Sequence, residues 1–554
     1  MSSESSAVVI GVAFGNCNSS IAFPSKEGKV EVIANQDGDR AIPSALAYVG
    51  EDEYHGFQAK AQLIRNGKNT VTYFRDYIGK DFKDIDPTYA SGSAHPVSKD
   101  GVVGFNLVTS SAEDAEPTFV SVAEITKRHL QRITESAADF LGKPVAGAVV
   151  AVPSDFSAAQ REELTKIAAE AGLNILQIIP ESVASVFAYD ATFGTGNKDK
   201  VVVVADFGAT RSDAAVVAVR GGMYTVLASH HNYELGGLQL DKALGDYFAN
   251  EFKKKHKVSP YDDKSGRATA KLLTESEITK RTLSASTTAT ISIESLADGY
   301  DYHSPINRLR YELSARAVIE KCGALVEEVV KQAGLDVLDI DEVVLAGGSS
   351  HTPKIASRVA AIFPETTVIQ SPSTNPKAIN PGESIAVGAA FQASLIAGFS
   401  ADEIRESLQP VVTTAPHLAK PVGVVVDGGK FVPVLEANTA VPIRKSVVFT
   451  AAGDSAYLEI VEGEQEIVTK VLEKTAQEDE EDEDYESEED EEVREKVVKP
   501  GKKIAEAALK NIKAGAKVEV ILNIAADLKL TIAAREVGSD AAVRGEVAGN
   551  TSTA

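Results

Sequence analysis

The chain has 554 residues, of which 44% are apolar and 25% charged, and it carries a net charge of −24. That length exceeds one hydrophobic core and predicts two or more domains, while the acidic balance argues against direct binding of nucleic acid. No apolar run is long enough to span a bilayer, so no membrane attachment is expected. The N-terminus lacks the features of a secretory signal, and the only cysteines are Cys17 and Cys322, which favours the cytoplasm.

The first element is the stretch VVIGVAFGNCNSS, Val8 to Ser20, which reads as a buried strand running into a glycine turn. Backbone N–H groups in such a turn form a common binding site for phosphate. The turn residues Gly15, Asn16 and Cys17 are therefore candidates for phosphate contacts. A phosphate site that performs chemistry usually also needs a carboxylate for its metal ion, and this stretch has none.

Short β-branched runs alternate with amphipathic helical stretches from about Ala7 to Ala397, which is typical of an α/β layered domain. One predicted helix follows Ser157, which forms a capping-box signature with Gln160. Gly172 is expected to end this helix. Its predicted apolar side consists of Leu164, Ile167, Ala168 and Ala171.

The pattern of the opening stretch is repeated 193 residues later. VVIGVAFGN contains Phe14 and Gly15 after its strand, and VVVVADFGA contains Phe207 and Gly208 at the same place. Two similar strand–turn units this far apart indicate a duplicated domain with two lobes. Facing glycine turns can clamp a polyphosphate through backbone N–H groups. The second copy also has Asp206, which can hold Mg²⁺ through water, where the first copy has Ala13.

A third turn lies in EVVLAGGSSHTPKIASRV, where a strand ends in Gly347 and Gly348. Ser349 or Ser350 is predicted to cap the next helix, whose start Pro353 marks, and that helix N-terminus is a candidate anion site. The triplet DFG at Asp206 also occurs in protein kinases. The H-R-D and G-x-G-x-x-G motifs that kinases need are missing from the sequence, which argues against that class.

The sequence pattern changes after Gly398. Residues 399–420 are polar and proline-bearing, as in a linker, and residues 421–538 read as short strands and tight turns, as in an all-β sandwich. GVVVDGGKFVPVL predicts a hairpin around residues 427–429. KKIAEAALKNIKAG has high helix propensity but lies between strands, so its class stays open. Residues 539–554 are expected to form a flexible tail.

The β-domain is interrupted by EDEEDEDYESEEDEE, Glu478 to Glu492, which carries thirteen negative charges. Like charges at this density prevent collapse, so residues 476–494 are expected to form a disordered loop. Either the loop is a solubilising insertion, or it is an acidic mimic that docks on a basic partner.

Deleting Asp479 to Glu491 should leave the melting temperature unchanged, because a run of like charge buries no apolar surface. Thermal unfolding followed by circular dichroism checks this result. A drop of several degrees would show that the acidic run packs against the folded protein.

Five motifs resemble the heat shock protein 70, or DnaK-type, family. These are GKVEVIANQDGDRAIPSALAYVG, GAVVAVPSDFSAAQREELTKIAAEAGLNILQIIPESVAS, ITKRTLSASTTATISIESL, VVLAGGSSHTPKI and INPGESIAVGAAFQA. The resemblance covers nearly the whole chain. It implies an actin-like two-lobed nucleotide-binding domain over residues 1–398, a linker, and a β-sandwich of the kind that binds extended peptides.

The resemblance also implies ATP as the ligand and names its contacts. They fall on Gly15, Asn16, Cys17, Arg75, Asp206, Gly208, Ala209, Thr210, Arg211, Glu277, Lys280, Arg281, Ser284, Gly347, Gly348 and Ser349. Asp206 and Glu181 are the residues that it implies for Mg²⁺, through water, although the missing acid leaves the metal open. No catalytic residue is expected.

The departures from the family pattern are equally informative. The family's first loop is D-L-G-T-T, where this chain has Ala13 to Cys17, and its second is D-L-G-G-G-T, where this chain has Asp206 to Arg211. Arg75 stands at the position of the catalytic lysine, the linker contains the polar EIRESLQP, and no helical lid is expected.

These departures resemble the atypical branch of the family that belongs to fungal ribosome-associated complexes. The resemblance implies bound ATP without hydrolysis and a stable heterodimer with a zuotin-like J-domain protein, formed through the β-domain. It further implies ribosome contact through that partner and stimulation of a separate, active chaperone of the same family. An ATP-hydrolysing chaperone that binds unfolded clients, and a metabolite kinase on the same lobed fold, remain as alternatives.

Overall fold

A computed structural model describes residues 8–25, 28–85, 92–111, 116–196, 198–407, 416–426, 429–472 and 491–547. The chain divides into two compact units. The first runs to Ile404 apart from the segments 197–200 and 218–223, and the second comprises those segments and the chain from Arg405 onward. No helix in the described part of the chain is both long and apolar enough to cross a membrane.

Strands and helices are numbered separately in chain order. The strands of the first unit begin with β1 (Val8–Phe14), β2 (Asn18–Pro24), β3 (Val30–Ile33), β4 (Ile42–Pro43), β5 (Ala45–Val49), β6 (Asp52–His55), β7 (Thr70–Thr72), β8 (Pro96–Lys99), β9 (Val102–Leu107) and β10 (Thr118–Ser121). They continue with β11 (Val145–Val152), β12 (Ile175–Pro180), β13 (Lys200–Phe207), β14 (Ser212–Arg220), β15 (Met223–Asn232), β16 (Thr288–Ala297), β17 (Tyr300–Asn307), β18 (Glu342–Ala346) and β19 (Val368–Gln370).

The helices are α1 (Gly56–Ala61), α2 (Leu63–Asn66), α3 (Val122–Leu141), α4 (Ala158–Glu170), α5 (Glu181–Phe193), α6 (Gly237–His256), α7 (Arg267–Ala285), α8 (Arg308–Ser314), α9 (Arg316–Gln332), α10 (Pro353–Ala360), α11 (Ser384–Ile396) and α12 (Ala401–Ser407). The remaining strands are β20 (Val422–Val426), β21 (Lys430–Leu435), β22 (Ile443–Thr450), β23 (Ser455–Leu472), β24 (Glu491–Lys510), β25 (Lys517–Ile524), β26 (Leu530–Glu536) and β27 (Ala542–Val547).

Two sheets of the first unit share one strand order, which confirms the predicted duplication. One sheet runs β3-β2-β1-β11-β12 and the other runs β15-β14-β13-β18-β19. In each, the first strand of the repeat pairs in parallel with a later strand: β1 with β11, and β13 with β18. Each sheet has its own hydrophobic core, one around Phe14 and Leu130 and the other around Phe207 and Phe248. We call these halves the first and second lobes.

Helix α11 packs on the first sheet through very small side chains. A Cβ on Gly11 of β1 would overlap the backbone of α11 at Ala390, and a Cβ on Gly388 would overlap the carbonyl of Ala184 on α5. The buried cluster between these elements is rich in alanine and includes Ala13. The residue that replaces the expected acid is therefore a packed member of an apolar cluster, 9% exposed.

Helix α4 begins and ends where the sequence predicts. The Ser157 hydroxyl accepts from the Gln160 N–H, and the Gln160 side chain accepts from the Ser157 N–H, which completes the capping box. Gly172 follows with a φ of 79°, in the left-handed region that favours glycine. The apolar side, with Leu164, Ile167 and Ala168, is buried in the first-lobe core.

The second unit is built from two four-stranded sheets, β21-β20-β23-β24 and β22-β25-β26-β27. One buried cluster contains residues of both sheets, including Val424, Ile460, Val520 and Ile532, so the sheets share a core as in a sandwich. The predicted hairpin is present as β20 and β21, although residues 427 and 428 of its turn lie outside the described residues. Residues 502–510 of the segment whose class was open form the end of β24, because pairing with β23 overrides their helix propensity.

Two predicted boundaries differ from the structure. Residues 542–547, assigned to the flexible tail, form β27, because they complete a backbone ladder with β26. Residues 491–494, assigned to the acidic loop, belong to β24, where they pair with residues 469–472 of β23; residues 476–490 of that loop lie outside the described residues. The linker begins with α12, and its residues 408–415 are likewise outside the description.

Candidate functional site

A cleft of about 970 Å³ lies within the first unit, and both lobes contribute to its walls. All sixteen residues that the sequence assigns to nucleotide contact line this cleft, together with Glu181 and Asp213. Its volume is in the range of ordinary small-ligand sites. The structure therefore brings together residues that are separated by up to about 330 positions in the chain.

The first turn is supported by a chain of hydrogen bonds that involves two serine hydroxyl groups. The Ser44 hydroxyl donates to the Gly15 carbonyl at 2.7 Å, and Ser19 lies 3.0 Å from both Ser44 Oγ and His129 Nε2. Burial lowers the pKa of His129 to about 3, so the ring is neutral. Gly15 itself is required by the tight turn, because a Cβ there would overlap the Asn18 carbonyl.

The second turn repeats this geometry. A Cβ on Gly208 would lie 2.7 Å from the carbonyl of Arg211, three positions on, as Gly15 meets Asn18 in the first turn. The Gly208 carbonyl accepts from the N–H of Gly237, the first residue of α6, at 2.9 Å. It also accepts from the Ser349 hydroxyl at 2.9 Å, so the second and third turns are tied together.

The third turn requires a glycine at position 347. Its φ is 79°, and a Cβ there would overlap Asp206 Oδ1 and lie 2.5 Å from the Phe207 carbonyl. The predicted cap of the next helix is wrong: Thr352 occupies the N-cap position of α10, with Pro353 as the first helical residue. Ser349 and Ser350 instead lie in a short 3₁₀ turn, where their hydroxyls bond to the backbone of Gly208 and Ala346.

Arg75 lines the cleft and forms ion pairs with two carboxylates. Its guanidinium donates to Asp76 Oδ1 at 2.8 Å, to Glu181 Oε1 at 3.1 Å and to the Phe14 carbonyl at 3.1 Å. The side chain is only 5% exposed. The residue at the position of the family's lysine is thus anchored by protein groups and braces the strand end before the first turn.

Arg211 forms hydrogen bonds with two carboxylates and a tyrosine hydroxyl. Its Nε donates to Asp213 at 2.8 Å, its Nη2 donates to Asp155 Oδ1 at 2.8 Å, and its Nη1 donates to the Tyr233 hydroxyl at 2.6 Å. The guanidinium also lies 4.6 Å from the centre of the Tyr233 ring, in cation–π range. Burial alone would lower the pKa of Arg211, but Asp213 raises it above its ordinary value, so the side chain is permanently charged.

The acids near the phosphate turns offer one uncommitted carboxylate. Glu181 and Asp213 accept from arginines, whereas no described residue forms a hydrogen bond or ion pair with Asp206. Burial and the nearby Asp213 raise the pKa of Asp206 to about 7. The described residues contain no cluster of three or more metal-ligating side chains. This donor set fits a Mg²⁺ ion carried mainly by phosphate oxygens, with Asp206 as its protein contact.

One face of α7 also lines the cleft. Glu277, Lys280, Arg281 and Ser284 follow helical spacing and share that face. Glu277 binds Lys60 Nζ through both oxygens, at 2.7 and 2.9 Å, and it also pairs with Arg281 at 2.6 Å. Lys280 Nζ lies 2.7 Å from Asp241 and donates to the Gly237 carbonyl at 3.1 Å.

Sequence reasoning missed the groups that hold these side chains in place. Lys60, Asp155, Tyr233 and Asp241 all contact predicted site residues, but each comes from a distant segment without a local motif. Tyr73 was also missed, although it lines the cleft and has a φ of 58°. Positive φ at an aromatic residue is uncommon, but it becomes visible only in the structure.

Comparison with known proteins identifies the class. The family model described as Hsp70 protein matches residues 9–477, and the chain belongs to the heat shock protein 70 family. The ribosome-associated complex subunit SSZ1 of Saccharomyces cerevisiae is 47% identical over 98% of this chain and 100% of its own length. Within the family, the chain is of this Ssz type.

Two further relatives place the similarity in context. A heat shock protein 70 homologue of Schizosaccharomyces pombe is 45% identical over 99% of this chain and 97% of its own length. A ribosome-associated molecular chaperone of Saccharomyces cerevisiae is 35% identical over 80% of this chain and 70% of its own length. Members of the heat shock protein 70 family bind adenine nucleotide.

Proposed function

We propose that the chain binds ATP without hydrolysing it and acts as the chaperone-like subunit of a ribosome-associated complex. One observation carries the catalytic part of this proposal. The cleft keeps its three turns and the α7 face, but Ala13 stands in an apolar cluster where an acid is expected, and two of the remaining acids are bound by arginines. The site is built to hold a nucleotide rather than to activate water.

Hydrolysis of a phosphoanhydride depends on positioning and on stabilising the charge that develops in the transition state. Ala13 supplies no carboxylate, and Asn16 and Cys17 replace two hydroxyls of the family loop. Removing one group that stabilises a transition state typically costs roughly 10²–10³ in rate. Losses at neighbouring groups do not simply multiply, but one such loss already makes turnover negligible. If Mg²⁺ enters with ATP, Asp206 would hold it.

We further propose that the β-domain forms a stable heterodimer with a zuotin-like J-domain protein, and that this partner makes the ribosome contact. The support is similarity along almost the full length of a ribosome-associated complex subunit. The similarity to a ribosome-associated chaperone points to the same cellular process. In this proposal the chain presents the J-domain to a separate, active chaperone during co-translational folding in the cytoplasm.

Purified protein should bind ATP stoichiometrically and leave it intact in a single-turnover assay. Equilibrium binding and chromatography of the bound nucleotide after minutes to hours measure the two parts separately. Lys280→Met serves as the matched control, because it removes a cation of the α7 face and should abolish binding. Any hydrolysis that persists in this variant comes from a contaminant.

Conversion of the bound pool to ADP within minutes, in the wild type but not in Lys280→Met, would support the alternative of an active chaperone ATPase. The retained Asp206 and Glu181 are the observations that favour this alternative. Absence of any nucleotide binding would contradict both accounts.

A further inference from the structure

Side chains of the two phosphate turns bond directly to each other across the cleft. Asn16 Nδ2 of the first turn donates to Thr210 Oγ1 of the second at 3.0 Å, and these residues are 194 positions apart. Both are buried, with 5% and 2% of their surfaces exposed. This hydrogen bond joins the first lobe to the second at the point where the turns face each other.

A second connection between the lobes is an ion pair. Arg211 follows the second turn, whereas Asp155 follows β11 of the first-lobe sheet, and the two pair through both carboxylate oxygens at 2.8 and 3.3 Å. Charge-assisted hydrogen bonds of this bidentate kind are roughly twice as strong as neutral ones. Within its own lobe the same guanidinium is fixed by Asp213 and Tyr233. Its two terminal nitrogens are therefore already oriented toward Asp155.

We infer that Asn16 and Arg211 act as positioning residues that fasten the two lobes to each other, so that the cleft stays closed whether or not nucleotide is bound. The reason is that both bonds join protein to protein and need neither phosphate nor metal. In a cleft closed only by its ligand, the spacing of the turns depends on that ligand. Here the spacing is set by side chains.

The same substitutions produce both properties. Asn16 stands where the family's first loop has a threonine, and Arg211 stands where its second loop has one. Each replacement removes a hydroxyl from the phosphate region and introduces a side chain long enough to reach the other lobe. The proposed absence of hydrolysis and the permanent closure of the cleft therefore have a common structural origin. The inference goes beyond the proposed function, because it does not require ATP to bind.

Hydrogen–deuterium exchange of the full chain tests the inference, read on peptides that cover residues 13–20 and 206–213. In the wild type without nucleotide, exchange in these peptides should already be slow, because the turns are held by side chains; bound ATP should add only the protection of the amides that it contacts directly. The double variant Asp155→Asn with Thr210→Val removes the carboxylate charge that pairs with Arg211 and the hydroxyl that accepts from Asn16. Its exchange without nucleotide should rise on the order of tenfold or more in the same peptides.

Two controls match the variant chemically. Glu124→Gln removes a carboxylate that binds a guanidinium, that of Arg128, within one lobe and outside the cleft, and Thr126→Val removes a buried hydroxyl that has no partner in the described part of the chain. Neither should raise exchange in the two turns beyond about twofold. If the double variant fails to fold, as judged by circular dichroism, the single variant Asp155→Asn takes its place.

A double variant that, without nucleotide, exchanges in these peptides no faster than Thr126→Val would overturn the inference. If ATP alters exchange in none of the proteins, the proposed nucleotide site fails instead. The comparison of variants without nucleotide still decides whether the lobes are fastened.

Discussion

Replacing Gly347 by alanine should weaken ATP binding by about 100-fold, equivalent to roughly 2.8 kcal/mol. The backbone at this position has a φ of 79°, which an L-residue rarely adopts, and the added Cβ would overlap Asp206 Oδ1. The third turn or the second must therefore move. Because Ser349 of the third turn also bonds to the Gly208 carbonyl, the displacement reaches both turns. Isothermal titration with ATP measures the loss.

Gly142→Ala separates the cost of backbone strain from the cost of the clash. Gly142 also has a positive φ, 62°, at the end of α3, but an added Cβ would meet nothing within 4 Å. This control should lose on the order of 1–2 kcal/mol of folding stability and keep full ATP affinity. Ser349→Ala removes only the hydroxyl bond to Gly208 and should give an intermediate loss. Equal ATP affinity in Gly347→Ala and the wild type would show that the third turn does not contact nucleotide.

The sequence predicted the elements of the fold because their signals are local. The capping box at Ser157 and Gln160, the glycine at 172 and the repeated Phe-Gly turn all lie within a few residues of the feature they specify. The close packing of α11 against β1 through Gly11 and Ala390 was not predictable, since it depends on two segments that are far apart in the chain. The strand formed by residues 502–510 was ambiguous for the opposite reason: its local propensity favours a helix, and only pairing with β23 decides.

The candidate site shows the same division. The glycine turns were predicted from their local strand–turn pattern, and the residues on the α7 face from the resemblance to the family. What the sequence could not show is which groups the arginine side chains of the site bind. Arg75 and Arg211 were expected among the nucleotide contacts, but in the structure each of them also binds two carboxylates. Asp76 and Asp155, which commit these arginines, belong to no phosphate motif.

Removal of all residues after Ala419 should abolish stable pairing with the zuotin-like partner while the lobed unit still folds and binds ATP. The cores of the two lobes and the cluster under α11 contain no residue beyond Ile396, so truncation leaves them intact. The β-domain, in contrast, presents sheet edges at β21, β24, β22 and β27. Unpaired edges invite an additional strand.

The occupant we expect at such an edge is the N-terminal segment of the J-domain partner, bound through backbone hydrogen bonds with apolar anchors between the strands. Exposed apolar side chains on β22 and β23, Val448 at 52% and Tyr457 at 54%, are the kind of surface that such a segment would cover. A permanent occupant protects the domain from aggregation, and its release would be slow because backbone pairing and apolar burial must be lost together.

Co-purification with the tagged partner, followed by light scattering to count subunits, measures pairing in the full chain and in the truncated one. Gly347→Ala is the complementary control, because it damages the nucleotide cleft and leaves the β-domain intact; it should pair normally while binding ATP about 100-fold more weakly. The truncated chain should show the reverse, with ATP bound and no partner. If the truncated chain paired as tightly as the full chain, the interface would lie on the lobed unit, and the β-domain would need another role.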